Sequence, residues 1–189
     1  MSSKKFILTL ILITGMLASP LMASALCTIE AKDEAKSHFV VETCTDIGTF
    51  SLGNYYNNWE ELTYNYPQPW KGTFITINVD NKLYSNSPYA KGSVHMDPYV
   101  LKSPHIIGDS IVTKWRLPEG IIVEQKLEMI PDGSMIKIDI GNPTTRDMKV
   151  GVRISLDTKL YGKDGATIFI PGIGFIANEG VYTSEVGSL

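Results

Sequence analysis

Between Ile111 and Leu156 apolar residues recur at every second position, and turn sequences cut the runs about every ten residues. Nothing else in the chain limits its folding so strongly. The clearest run sets Val150, Val152, Ile154 and Leu156 on one face, with Gly151, Arg153, Ser155 and Asp157 on the other. Side chains alternate along a strand, so this pattern predicts a half-buried antiparallel strand. Upstream, Ile111, Thr113, Trp115 and Leu117 share a face, and Pro118-Glu119-Gly120 turns the chain. Ile121 to Ile130 returns with Val123, Leu127 and Met129 facing in and Glu124, Lys126 and Glu128 facing out. Pro131-Asp132-Gly133 turns it again, Ile136, Ile138 and Ile140 face the core, and Asn142 to Asp147 leads into the Val150 strand. The expectation is a four-strand meander inside an all-β antiparallel sandwich. The absence of any long 3.6-residue periodicity excludes an α/β fold.

The earlier part of the chain is less regular. Thr28 to Ser37 is polar and mixed in charge, either a short helix or a disordered lead-in. Strand signals begin at His38 to Thr43, continue at Ile47 to Leu52, and become β-branched at Thr73 to Val79. Asp80-Asn81 supplies a turn, because both residues tolerate positive φ, and Lys82 to Tyr84 can pair back. Tyr84 to His105 carries Pro88, Pro98 and Pro104 and reads as mostly loop with short edge pieces.

The amino terminus has Lys4 and Lys5, an apolar run from Phe6 to Leu17, and Ala23-Ser24-Ala25. That order predicts a secretory signal peptide over 1–25, a flexible lead-in over 26–36 and one sandwich domain over 37–189. The apolar run is too short to cross about 30 Å of hydrocarbon as a helix, so no transmembrane segment is expected in the mature chain. Leu26 stands where a lipidated Cys27 would need a small residue. Removing 25 of 189 residues leaves 164, enough for a real core. It also removes two of the 17 basic residues, so 15 face 20 acids and the net charge becomes −5. No basic stripe forms, so nucleic acid is not an expected partner. In an exported protein Cys27 and Cys44 most simply form one disulfide, contributing roughly 3 kcal/mol in the chain-entropy model. The alternatives are two free thiols, or a bridge to another chain through Cys27.

Val150-Gly151-Val152-Arg153, Leu156-Asp157-Thr158, Asp164-Gly165-Ala166 and Ile170-Pro171-Gly172 together resemble a pattern in exported bacterial and archaeal proteins of uncharacterised function. Those are similar to β-supersandwich domains related to the galactose-mutarotase-like folds. The resemblance spans about 25 residues and implies the sandwich class; it implies no activity, because fold kinship does not carry function. In such domains further strands follow the motif, which implies a domain truncated at its C-terminus. No catalytic residue of the mutarotases maps onto this chain.

Candidate chemistry concentrates in Tyr55 to Trp70. Tyr55, Tyr56, Trp59, Tyr64, Tyr66 and Trp70 are interleaved with amides and with Glu60 and Glu61. Aromatic rings stack on the C–H faces of sugars, and polar side chains meet the hydroxyls, so this is a candidate contact loop. The competing reading makes the rings a cap on one end of the core. His95 and Asp97 share a strand face and His105 follows, but metal spacing motifs such as HExxH and CxxC are absent, and neither metal nor cofactor is expected. Arg153, Asp157 and Asp164 are assigned structural roles: Arg153 pairing with an acid across the sheet, the aspartates capping turn amides. The reading that results is an exported, non-catalytic binding or cell-surface domain, whose partner is carbohydrate or another surface protein. The alternative is a carbohydrate-active protein using the aromatic loop with Glu60 or Glu61.

Overall fold

The computed structural model describes residues 27–32, 38–43, 47–56, 58–66, 73–130, 133–160, 163–164, 167–170 and 174–176. Residues 1–25, Cys44 and Trp70 lie outside them. In chain order the strands are β1 (Cys27–Lys32), β2 (His38–Thr43), β3 (Phe50–Tyr56), β4 (Asn58–Glu61), β5 (Phe74–Val79), β6 (Lys82–Ser85), β7 (Val94–His95) and β8 (Val100–Ile107). There follow β9 (Ser110–Arg116), β10 (Ile122–Ile130), β11 (Gly133–Gly141), β12 (Val150–Ser155), and the short hairpins β13 (Lys159–Leu160) with β14 (Lys163–Asp164) and β15 (Ile168–Ile170) with β16 (Gly174–Ile176). They build three four-stranded sheets, in the orders β1-β2-β3-β4, β12-β5-β6-β7 and β11-β10-β9-β8. All the pairings are antiparallel except the short β6–β7 contact. The all-β, sandwich-like architecture read from the alternation is what forms.

The second and third sheets face each other across the main core. Ile75, Ile77 and Val79 of β5 and Tyr84 of β6 meet Trp115 of β9 and Val123 of β10, with Met96, Leu117 and Ile121 closing the cluster. Phe50 of β3 brings the first sheet onto Ile111, Leu127 and Met129. Ile111, Thr113, Trp115 and Leu117 are all buried, as their alternation predicts. So are Val123, Leu127 and Met129, while Lys114 pairs with Glu124 and Lys126 with Glu128 on the outer face. Burying one full aliphatic or aromatic side chain contributes about 1.5–3 kcal/mol, so each inward row carries much of the sheet's adhesion.

Three expectations give way. Cys27–Lys32 is a strand laddered to β2, with Ile29 opposite Val41 and Ala31 opposite Phe39, rather than a helix or lead-in. The alternation Thr28, Glu30, Lys32 against Ile29, Ala31 suits an edge strand despite its polarity. Within 84–105, Val100–Ile107 is a full strand on the edge of the third sheet. Pro104 is accommodated because the register shifts between Lys102 and His105, where no ladder donor is required of it. Finally, the Val150 strand does not continue the meander. It crosses to the second sheet and pairs with β5, Val150 opposite Val79 and Ile154 opposite Ile75, while β8 takes the fourth place in the third sheet.

Among the described residues β11 and β12 are both edge strands. Val150, Val152 and Ile154 share the face of buried β5 residues, yet with Leu156 they are 37–46% exposed. Ile136, Ile138 and Ile140 of β11 are only half-buried.

Candidate functional site

The second sheet has a second face, directed away from the core. Along β5 the inward positions are Ile75, Ile77 and Val79, so Thr76 and Asn78 take the other side. Register places Thr76 between Arg153 of β12 and Ser85 of β6, and Asn78 between Gly151 and Leu83. Gly151 contributes no side chain, and a Cβ there would come only within 3.7 Å of the Asn78 Cβ. The result is a trough floored by Thr76 and Asn78 and walled by Leu83 and Arg153.

Two adjoining half-open hollows, about 280 and 290 Å³, fill this trough and share Thr76, Leu83 and Arg153. The first is completed by Tyr89, Lys91 and their loop neighbours, the second by Asn78 and Gly151. The loop that brings Tyr89 and Lys91 there is fastened to the sheet. Buried Asn86 Oδ1 accepts the Ile75 N–H at 2.9 Å, and Ser85 Oγ donates to the Ile75 carbonyl at 2.8 Å. Ser85 Oγ also accepts the Ser87 N–H, Ser87 Oγ accepts the Tyr89 N–H, and Met96 N–H donates to the Ser85 carbonyl at 2.8 Å. Gly92 takes φ +80°, which a residue with a Cβ rarely adopts, and lets the loop fold back. The rim is therefore held in place before any ligand arrives.

The polar groups of the trough are unusual in their bonding. Thr76 is buried, and its Oγ1, like Asn78 Oδ1, is closed off from solvent and has no hydrogen-bond partner among the described residues. A buried polar atom left without a partner costs about 1–3 kcal/mol. Arg153 and Lys91 form no ion pair among the described residues, where most other lysines along the sheets find a carboxylate. In a chain of net negative charge, these two cations line one hollow.

Within the aromatic stretch Tyr64 and Tyr66 differ in burial. β3 and β4 form a hairpin with Tyr55 opposite Trp59 and Tyr56 opposite Asn58. Tyr66 is buried at 9% exposure, and its ring lies so close over Gly53 that a Cβ there would collide with it. It is a core residue. Tyr64 is exposed, with Lys159 Nζ 5.1 Å above its ring, and Lys159 also pairs with Glu61 at 2.7 Å. Glu60 is half-buried. Trp70 lies outside the described residues.

His95 and Asp97 do meet, Nδ1 to Oδ2 at 3.2 Å, but His105 turns its Nδ1 to the Ser103 carbonyl at 2.9 Å. Among the described residues no three metal-ligating side chains converge. Among the described residues no acid pairs with Arg153, and its β5 neighbour is Thr76. Asp157 ties the fold through its backbone, accepting the Tyr64 N–H at 2.8 Å and donating to Thr73 Oγ1 at 3.4 Å. Asp164 lies opposite Lys159 in the β13–β14 ladder.

A third polar group sits at the far end of β6. Tyr84 OH donates to Glu119 Oε1 at 2.5 Å, and Lys82 Nζ reaches the same oxygen at 3.4 Å. Burial raises the Glu119 pKa, but the bonds from Tyr84, the backbone and Lys82 outweigh it and hold the carboxyl below its ordinary range. Burial pushes the Tyr84 phenol up, and the hydrogen bond to Glu119 adds to it. This group joins the Glu119 turn to β6 and opens onto neither hollow.

Thr76, Asn78, Leu83, Tyr89 and Lys91 carry no motif in the sequence. The one available signal is the polar pair Thr76 and Asn78 set between Ile75, Ile77 and Val79, next to an Arg153 on the non-apolar face of its own strand. Among the described residues no helix is long and apolar enough to cross a membrane. Compared with protein-family models, with curated proteins and with solved structures, the chain matches none.

Proposed function

We propose that the protein is an exported, non-catalytic β-sandwich domain that binds a ligand on the outer face of its second sheet, at a cell surface or in the periplasm. The observation that supports this is the preformed trough: a fastened loop, and two cations, Arg153 and Lys91, that form no ion pair among the described residues. Ligand sites are usually concave, largely preformed and equipped with a few convergent polar groups. The partner is a carbohydrate or another surface protein.

A carbohydrate-active role through the aromatic stretch, within the mutarotase-like superfold, is less well supported. Glu61 is engaged by Lys159, and Tyr66 is spent on the core. Glycan-array binding of the wild type against Leu83→Glu, an exposed change in the trough, tests the reading: binding should fall with the substitution. Loss of binding on altering Trp59 with Leu83→Glu unaffected would move the site back to the aromatic stretch. Turnover of a glycoside or ester that disappears with one acidic variant would overturn the non-catalytic assignment.

A further inference from the structure

We infer that the β15–β16 hairpin is a membrane-contact element that seats Phe169 and Phe175 in the interface of a lipid bilayer. Phe175 is 79% exposed and Phe169 57%, the highest values among the large apolar residues described. They stand opposite each other in the ladder with ring centroids 5.1 Å apart, so they form one patch and not two. The other face of β16 differs, because Gly174 and Ile176 on either side of Phe175 are half-buried. Side chains alternate along a strand, so the phenylalanine face is the one presented to solvent. Among the described residues the hairpin is a two-stranded sheet of its own, joined to no larger sheet. Two strands alone are marginal in water, and two exposed rings add apolar surface that favours leaving it. From Ile168 to Ala177 the sequence holds no charged and no hydrogen-bonding side chain.

Area separates a bilayer from a protein partner. A buried aromatic side chain covers about 150–250 Å², so the exposed parts of these two offer roughly 200–350 Å² together. A specific protein interface takes about 800 Å² from each partner and carries a polar rim. A second copy seated on the hairpin would bury far less, with no polar side chain between Ile168 and Ala177 to fix its register. A bilayer requires neither. Apolar area leaving water is sufficient, and Phe is among the residues that interfacial segments bury. Charge sets the kind of contact. The mature chain carries 15 basic residues against 20 acids, so anionic headgroups repel it as a whole. The contact is therefore apolar insertion, insensitive to salt. Depth is limited too. Among the described residues each strand of the hairpin has one ladder neighbour, so the outer N–H and C=O groups look to water. Such groups do not enter the hydrocarbon core. The rings reach about 5–10 Å in, to the boundary of headgroups and acyl chains, and the backbone stays hydrated. This attachment goes beyond the cell-surface placement proposed above and does not depend on the trough.

The test is flotation of the mature protein, free of the apolar run Phe6 to Leu17, with phosphatidylcholine vesicles and with vesicles containing phosphatidylglycerol. The protein should float with phosphatidylcholine, equally at low and high salt. Phe169→Ser and Phe175→Ser should each lower the partition coefficient about tenfold or more, and the double variant should stay with the soluble fraction. Both side chains are largely exposed, so melting without vesicles should hardly change. Ile107→Ser removes a 55% exposed side chain from another sheet and should leave flotation as it was. Phe175→Trp keeps an aromatic ring at the site and reads depth directly. It should retain binding and gain fluorescence quenching by brominated lipid that the wild type lacks, stronger for bromine near the headgroup than near the chain end. Absence of flotation overturns the inference. So does flotation that the double variant keeps, or that Ile107→Ser abolishes equally. Binding confined to phosphatidylglycerol and lost in salt would assign the contact to charge and overturn apolar insertion. A concentration-dependent dimer in solution that Phe175→Ser dissociates would make a second copy the occupant and overturn the bilayer.

Discussion

The contact between Gly53 and Tyr66 can be measured by a double-substitution cycle. Tyr66 is buried with its ring over the Gly53 backbone, and a methyl at Gly53 would occupy the ring's space. Removing the ring by Tyr66→Ala leaves a cavity, and losses of large aromatic side chains cost about 3–5 kcal/mol. In a domain of 150–250 residues each kcal/mol lowers the melting temperature by about 2–4 °C, so the fall should be about 6–20 °C. Gly53→Ala in the wild type must push the ring or the strand aside, an overpacking cost of about 1–3 kcal/mol. In the Tyr66→Ala background the same methyl enters the space the ring has left and should cost close to nothing. The coupling energy is then about 1–3 kcal/mol, in the sense that the double variant is more stable than the sum of the singles predicts. Urea unfolding followed by tryptophan fluorescence gives each corner of the cycle. Additivity within about 0.5 kcal/mol would refute the packing, and with it the assignment of Tyr66 to the core.

Three further outcomes are expected. Tyr84→Phe removes the phenol that bonds Glu119, and should cost about 1.5–3 kcal/mol at pH 7, the usual size for a hydrogen bond to a charged group. Because the folded Glu119 pKa lies below its unfolded value, this stabilisation is present above the ordinary carboxylate range and is lost as pH falls through the lowered folded pKa; a gap between wild type and variant that does not narrow in acid would contradict it. Asn81→Val should cost about 1–2 kcal/mol and Asn81→Gly nothing, since φ is +70° at Asn81 and +47° at Asp80 in the β5–β6 turn; equal thermal melts for the two variants would argue against that turn. Under the proposed export, Cys27 and Cys44 form one bridge, and two alkyl adducts by intact mass on the folded, unreduced protein would exclude it.

What could be read from the residues was whatever depends on neighbours in sequence. The rows at Ile111–Leu117 and Val123–Met129 bury as their alternation demands, because each strand pairs with the next through a short turn. Asp80-Asn81 turns where it should for the same local reason. Alternation shows which face of Val150–Ser155 is apolar, but not which sheet receives it, so its crossing to β5 and the exposure that follows were hidden. The candidate trough was hidden likewise: Thr76 and Arg153 lie on strands whose partnership no local pattern declares. Gln125 shows the reverse error. It sits in an inward position and is fully buried, with Nε2 donating to the Gly48 carbonyl at 2.8 Å, a partner far away in the chain. The aromatic stretch looked like a surface because its composition suits one, yet Tyr66 is spent on packing.

The β5–β12 ladder spans the whole meander between its two strands, and this has a kinetic consequence. Hairpin contacts within the third sheet close short loops, whereas joining Val150–Ser155 to Phe74–Val79 closes a long one, which is slower and entropically costlier. Among the described residues β12 has one ladder neighbour and a poorly covered apolar face, the features of a segment that opens before the rest of the molecule. Its amides should therefore exchange with deuterium sooner than those of β9 and β10. Since Arg153 and Gly151 travel with β12 while Thr76 and Asn78 stay on β5, opening of this one strand dismantles the trough. A ligand seated there should hold the strand shut and slow its exchange by the factor 1 + [L]/Kd.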